Sequence, residues 1–135
     1  MRREQGQRWR VWLALGCLAL SSCGSYVTRG RYLYREGRYI ESAEVLAFHE
    51  RELVRESPRA QAEYATYRGL SNLVLGNYPE ARRWMGFAYE LERRYPGALK
   101  PEHRLELDQG WWQLTTRLRP QGWSGAPPNT RQARQ

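Results

Sequence analysis

One pattern recurs in this chain at a fixed offset. In Gly30-Arg-Tyr-Leu-Tyr-Arg-Glu-Gly37-Arg-Tyr39-Ile-Glu41 and Gly69-Leu-Ser-Asn-Leu-Val-Leu-Gly76-Asn-Tyr78-Pro-Glu80, a glycine is followed after seven residues by a second, after two more by Tyr and after two more by Glu. The copies are 39 residues apart, and Gly110 lies 41 residues beyond Gly69. A period of this length marks one supersecondary unit that cannot bury its apolar face alone, so the copies must stack on one another.

The hydrophobic spacing identifies the unit as helical. Ala81, Trp84/Met85, Ala88 and Leu91 recur at three- and four-residue intervals, and Leu107, Trp111, Leu114 and Leu118 form a second stripe. Local punctuation divides the helices. Gly76-Asn77 supplies a left-handed cap, Tyr78-Pro79 opens the next helix, Ser57-Pro58 separates the copies, and Pro96-Gly97 ends the second. A fifth helix is predicted over 101–118, with Pro101 in its first turn, Glu102 and Glu106 near its start and Arg117 near its end.

These residues resemble the tetratricopeptide repeat. In that family a small residue lets helix A approach its neighbour, a Gly makes the turn and an aromatic begins helix B. The resemblance spans roughly residues 25–118. It departs at Ala65, where the family has an aromatic, at Ser42, where it has Ala, and in about five additional residues before the second copy. It implies an all-α, short α-solenoid of two helical hairpins plus a C-terminal capping helix, over residues 26–119. It also implies a partner-binding groove lined by the A helices. The matching positions are Val27, Arg31 and Tyr34, then Thr66, Leu70 and Leu73, then Leu107 and Trp111, with Trp112 on an adjoining face. Trp111 and Leu114 fit intramolecular contact as well as the groove. An extended segment or amphipathic helix with an acidic end would suit Arg31 and Tyr34. Because a solenoid ordinarily needs at least three repeats, part of its apolar surface is expected to be covered by another chain, as a homo- or hetero-oligomer.

Residues 1–22 read as an address rather than as structure. Arg2, Arg3, Arg8 and Arg10 precede the apolar run Val11–Leu20, the order of a secretory signal. Ten residues are half of the ~20 that span a bilayer. Leu20-Ser21-Ser22-Cys23 then resembles the bacterial lipobox, which implies cleavage between Ser22 and Cys23 and a covalent lipid on Cys23. Residues 23–25 would form a lipidated Cys with a short tether. Gly24 lacks the Asp that retains such lipoproteins in the inner membrane, so the resemblance implies the periplasmic face of the outer membrane in a Gram-negative host. Removal of residues 1–22 changes the formal charge from +8 to +5. With both cysteines, Cys17 and Cys23, in the first quarter of 135 residues, no disulfide or thiolate zinc site staples the remainder. Residues 120–135 form a polar Pro/Gly tail expected to be disordered, with Trp123 its one large apolar residue.

Catalytic equipment is not evident. His49 and His103 stand 54 residues apart without metal-type companions and read as surface helix residues. Glu63, Glu80, Glu90 and Glu92, beside Arg82, Arg83, Arg93 and Arg94, read as a solvated face of mutual ion pairs. No phosphate-cradling loop or cofactor motif occurs. Arg29, Arg31, Arg35 and Arg38 alternate with Tyr32, Tyr34 and Tyr39. Nucleic acid is a poor partner for an exported chain, which leaves anionic headgroups near the anchor or ordinary solvation. The expected function is a membrane-anchored, non-catalytic scaffold or assembly factor in an envelope complex for secretion, pili, motility or cell-wall synthesis. The alternative is a self-associating structural lipoprotein.

Overall fold

A computed structural model describes residues 25–118, which form five α-helices and one 3₁₀ segment, with no strand among the described residues. The expected signal and its cleavage site, Cys23 and the tail lie outside the described residues; Ser25, assigned to the tether, already belongs to a helix. The order is α1 Ser25–Arg35, α2 Tyr39–Phe48, a 3₁₀ segment Glu50–Arg55, α3 Pro58–Val74, α4 Tyr78–Arg94 and α5 Pro101–Leu118. The domain is an all-α bundle.

The helix limits follow from the residues. Ser57 accepts a hydrogen bond from the backbone N–H of Ala60 at 3.3 Å, and Pro58, whose ring presets φ, occupies the first turn of α3. Gly37 and Gly76 end α1 and α3 at φ +76° and +79°, a conformation that side chains with a Cβ resist. In each copy the glycine N–H bonds to a carbonyl three residues back, of Tyr34 or Leu73. The next N–H bonds five back, to Leu33 or Asn72. The two turns thus repeat the same hydrogen bonds at the offset seen in the sequence. Their shortness makes α1–α2 and α3–α4 antiparallel hairpins.

Three glycines admit close approaches. A Cβ at Gly30 would lie 2.6 Å from Leu46 Cγ, one at Gly69 would lie 2.5 Å from Met85 Cγ and 2.9 Å from its backbone nitrogen, and one at Gly110 would lie 2.2 Å from Leu70 Cδ2. Ser42, which departs from the small apolar residue of the resembled repeat, is fully buried between the hairpins. Its hydroxyl donates to the Gly30 carbonyl at 2.8 Å and its oxygen lies 2.9 Å from Ser71 Oγ, so the polar group is satisfied where alanine would only fill space.

The second helix does not reach the Ser57-Pro58 boundary. α2 stops at Phe48, and Glu50–Arg55 turn as a 3₁₀ segment that plugs Leu53 into the core. Two α3 side chains account for this. Tyr64 donates to the carbonyl of Leu46 at 2.5 Å, taking one of the orphan acceptors at the helix end. Arg68, buried over the Trp84 ring at 4.3 Å, pairs with Glu50 at 2.8 Å and also donates to the Tyr64 hydroxyl. A cation at a helix C-terminus, stacked on an aromatic face, fixes the segment against α3 and α4.

Candidate functional site

The first-helix positions of each copy converge on one face. Arg31 and Arg35 of α1 meet Glu63 and Tyr67 of α3, each pair one turn apart, so α1 and α3 run in the same direction. Arg31 Nη1 lies 2.6 Å from Glu63 Oε1. His103 Nδ1 of α5 lies 3.9 Å from the other Glu63 oxygen. One turn along, Arg35 donates to Glu106 of α5 at 2.7 Å and to the Tyr67 hydroxyl at 3.1 Å. Two polar rungs therefore cross α1, α3 and α5. The Arg35–Glu106 rung is partly open to water and adds little stability, but both rungs fix the register of the three helices.

Beside the second rung is a hollow of about 200 Å³. Leu70 and Leu73 line it together with Tyr34 and Val74, and Gln109 and Gln113, four residues apart on α5, bring amide groups to its edge. Gly110 leaves room between them, since any Cβ there would strike Leu70.

The expected groove residues thus divide. Tyr34, Leu70 and Leu73 share this hollow. Val27, Thr66, Leu107 and Trp111 are buried within the bundle, with Thr66 donating to the Ala62 carbonyl at 2.8 Å and Trp111 set edge-on against Tyr89 at 5.4 Å. In a five-helix bundle the flanks of α1, α3 and α5 close on one another, which buries positions that a wider array leaves open. Arg31 is engaged by Glu63. Trp112 is 67% exposed and stands with Leu105, 59% exposed, on an outer stripe of α5.

Other expectations need correction. His103 is buried rather than a surface residue, because α5 turns it under Tyr67, whose ring meets the imidazole edge at 5.5 Å. His49 leaves the helix surface for the turn after α2 and stacks on Tyr26 at 4.5 Å. Glu63 does not belong to the solvated face, being drawn across to α1, and Glu92 accepts from the backbone of Gly97 and Leu99 at 2.9 and 2.8 Å. Glu80 and Glu90 do pair with arginines on their own helix, Arg83, Arg93 and Arg94. Of the arginines assigned to headgroups, Arg31, Arg35 and Arg38 are in ion pairs. A hollow of about 490 Å³, bordered by Leu53, Val54, Trp84 and Phe87 with Glu50 and Arg83 at its rim, had no counterpart in the sequence reading. Its signal was there in Trp84 and Phe87, but the 3₁₀ segment that forms the other wall was not legible.

Burial governs the titration of the phenols and of the imidazole on this face. Burial raises the phenols of Tyr34 and, with Glu106 nearby, Tyr67, so both stay protonated donors. Burial also lowers His103 below the ordinary 6.5; Glu63 and Glu102 oppose this and Arg31 and Arg35 reinforce it. Above pH ~6.5 the imidazole is neutral folded and unfolded and shifts nothing. Below it the unfolded chain takes up a proton that the buried ring resists, so stability falls with pH until the folded pKa is passed. His103→Gln is expected to flatten this acid-side slope in denaturant titrations between pH 7 and 5. A slope equal to that of the natural chain would assign it to the carboxylates.

No group of three or more His, Cys, Asp or Glu poised for a metal occurs among the described residues. No family model matches the sequence, and no curated protein or solved structure matches it either.

Proposed function

We propose that this chain is a lipid-anchored, non-catalytic protein-binding module of the cell envelope, a short tetratricopeptide-like array that holds an extended segment of a partner against α1, α3 and α5. The observation that carries the reading is the hollow at Leu70, Leu73 and Val74, edged by the Gln109 and Gln113 amides and by the Arg35–Glu106 pair. Its apolar floor accepts a side chain, and the amides, each with donors and an acceptor, suit the backbone of an extended peptide. Leu-Ser-Ser-Cys23 supports the anchoring, with Cys23 carrying the lipid and the periplasmic face of the outer membrane as its place.

Leu70 is too deeply buried to be a clean probe of binding, since Leu70→Glu would bury a carboxylate against α5. Val74, 46% exposed, serves instead. A photo-crosslinking residue at Gln113 in the full chain, in its own membranes, should capture a distinct envelope protein. Val74→Asp should cut that capture by about tenfold, equivalent to ~1.4 kcal/mol, with the thermal midpoint retained. Capture unchanged in the folded Val74→Asp chain overturns the site. The outer stripe of Leu105 and Trp112 favours a second reading, self-association; crosslinks from Trp112 to a second copy, with none from Gln113, would select it.

A further inference from the structure

We infer that the end of the bundle bearing Phe48 and Val54 lies flat on an anionic lipid surface, an inference that rests on acylation of Cys23. The first turn of α1, the end of α2 and the 3₁₀ segment are joined at this end. Tyr26 stacks on His49 at 4.5 Å and donates to Glu56 at 3.1 Å. Phe48 and Val54 are the most exposed large apolar side chains among the described residues, at 82% and 80%. Phe48 ends α2 and Val54 lies in the 3₁₀ segment that follows it, so both belong to one end of the bundle, where exposed apolar side chains can enter a membrane interface.

Charge at the same end points to the same occupant. Arg29, beside Phe48, and Arg51, Arg55 and Arg59 are exposed, and none is in a salt bridge among the described residues. Among the neighbouring acids Glu50 is offset by Arg68 and Arg83. Glu52 beside His49 and Glu56 beneath the Tyr26 hydroxyl keep their charge, so with Glu44 three carboxylates stand against the four arginines and the cationic excess is small. Of the arginines expected to face headgroups, Arg31, Arg35 and Arg38 are paired with Glu63, Glu106 and Glu41, which leaves Arg29 together with the arginines in and after the 3₁₀ segment.

Tether length completes the argument. Only Gly24 and Ser25 separate Cys23 from Tyr26, a reach of about 10 Å when extended. A lipid on Cys23 therefore holds this end at the bilayer. Two apolar side chains and four arginines would bind weakly in free solution, but a short tether places them at an effective concentration on the order of millimolar.

The test uses the full, processed chain reconstituted in vesicles of phosphatidylcholine with phosphatidylglycerol, bearing Phe48→Cys, Val54→Cys or the control Leu75→Cys at the other end of α3, each coupled to a maleimide fluorophore. Labels at 48 and 54 should be quenched by headgroup-level nitroxide lipid and shielded from aqueous iodide, and the label at 75 should behave oppositely. Arg51→Glu with Arg55→Glu should weaken the shielding by roughly fivefold per charge, as ~1 kcal/mol per arginine requires. An acylated Cys23 with iodide access at 48 and 54 equal to that at 75 overturns this inference alone. So does shielding undiminished in pure phosphatidylcholine. A Cys23 that is itself labelled by the maleimide overturns the anchoring and the inference together.

Discussion

Gly69→Ala is expected to lower the stability of the helical domain by about 3 kcal/mol, near the upper end for overpacking a tight contact. The added methyl meets Met85 Cγ at 2.5 Å, and behind it the Met85 backbone nitrogen at 2.9 Å and the Ala81 carbonyl oxygen at 3.2 Å. A side chain can swing away, but a helix backbone can retreat only by separating α3 from α4 along their length. The other repeat glycines grade this expectation. At Gly30 the obstacle is the branch of Leu46, with Cγ and both methyls within 2.9 Å, whereas at Gly110 it is chiefly one terminal methyl of Leu70 at 2.2 Å. The order of loss should be Gly69, then Gly30, then Gly110, where the ~1 kcal/mol that alanine gains over glycine in a helix offsets much of the clash. Gly86 is the control with the opposite sign. It lies within α4 with nothing within 4 Å of a Cβ, so Gly86→Ala should stabilise by about 0.5–1 kcal/mol. Urea midpoints at constant m read all four. A Gly69→Ala chain as stable as the natural one would mean that α3 and α4 are not in this contact.

These glycines also mark what the sequence could convey. Turn glycines, Ser57-Pro58, Tyr78-Pro79 and Pro101 act through their immediate neighbours, and the limits of α3, α4 and α5 fall where those residues put them. The 3₁₀ segment was hidden because its cause is remote. Tyr64 and Arg68 hold Leu46 and Glu50 from 18 residues away in each case, and no local spacing announces that. The same holds for the rungs. Arg31–Glu63 and Arg35–Glu106 join residues 32 and 71 apart, and their pairing depends on how the three helices rotate about their axes. Helical periodicity identifies an apolar stripe but leaves that rotation open by tens of degrees, enough to carry Thr66, Leu107 and Trp111 from a groove into the interior. Tyr34 and Leu73 face the hollow because they lie nearer the open end of the α1–α3 seam, one turn before Gly37 and Gly76.

Cys23→Ala is expected to abolish acylation altogether, the largest effect of any single substitution in this chain. No helix among the described residues is long and apolar enough to cross a membrane, and the run Val11–Leu20 is half the length required. On the proposed reading, lasting attachment would depend on chemistry, and one acyl chain gives only reversible binding where two or more hold. The order of basic head, apolar run and Leu-Ser-Ser-Cys offers one thiol for that chemistry; Cys17 lies inside the apolar run and would leave with it on the proposed cleavage. Metabolic labelling with a clickable fatty acid, read beside the mass of the chain, separates the possibilities. The natural chain and Cys17→Ala should carry label and have lost residues 1–22, while Cys23→Ala should be unlabelled and retain them. Equal labelling of Cys23→Ala and the natural chain would refute the anchor, and the Phe48–Val54 end would then need another reason to be apolar.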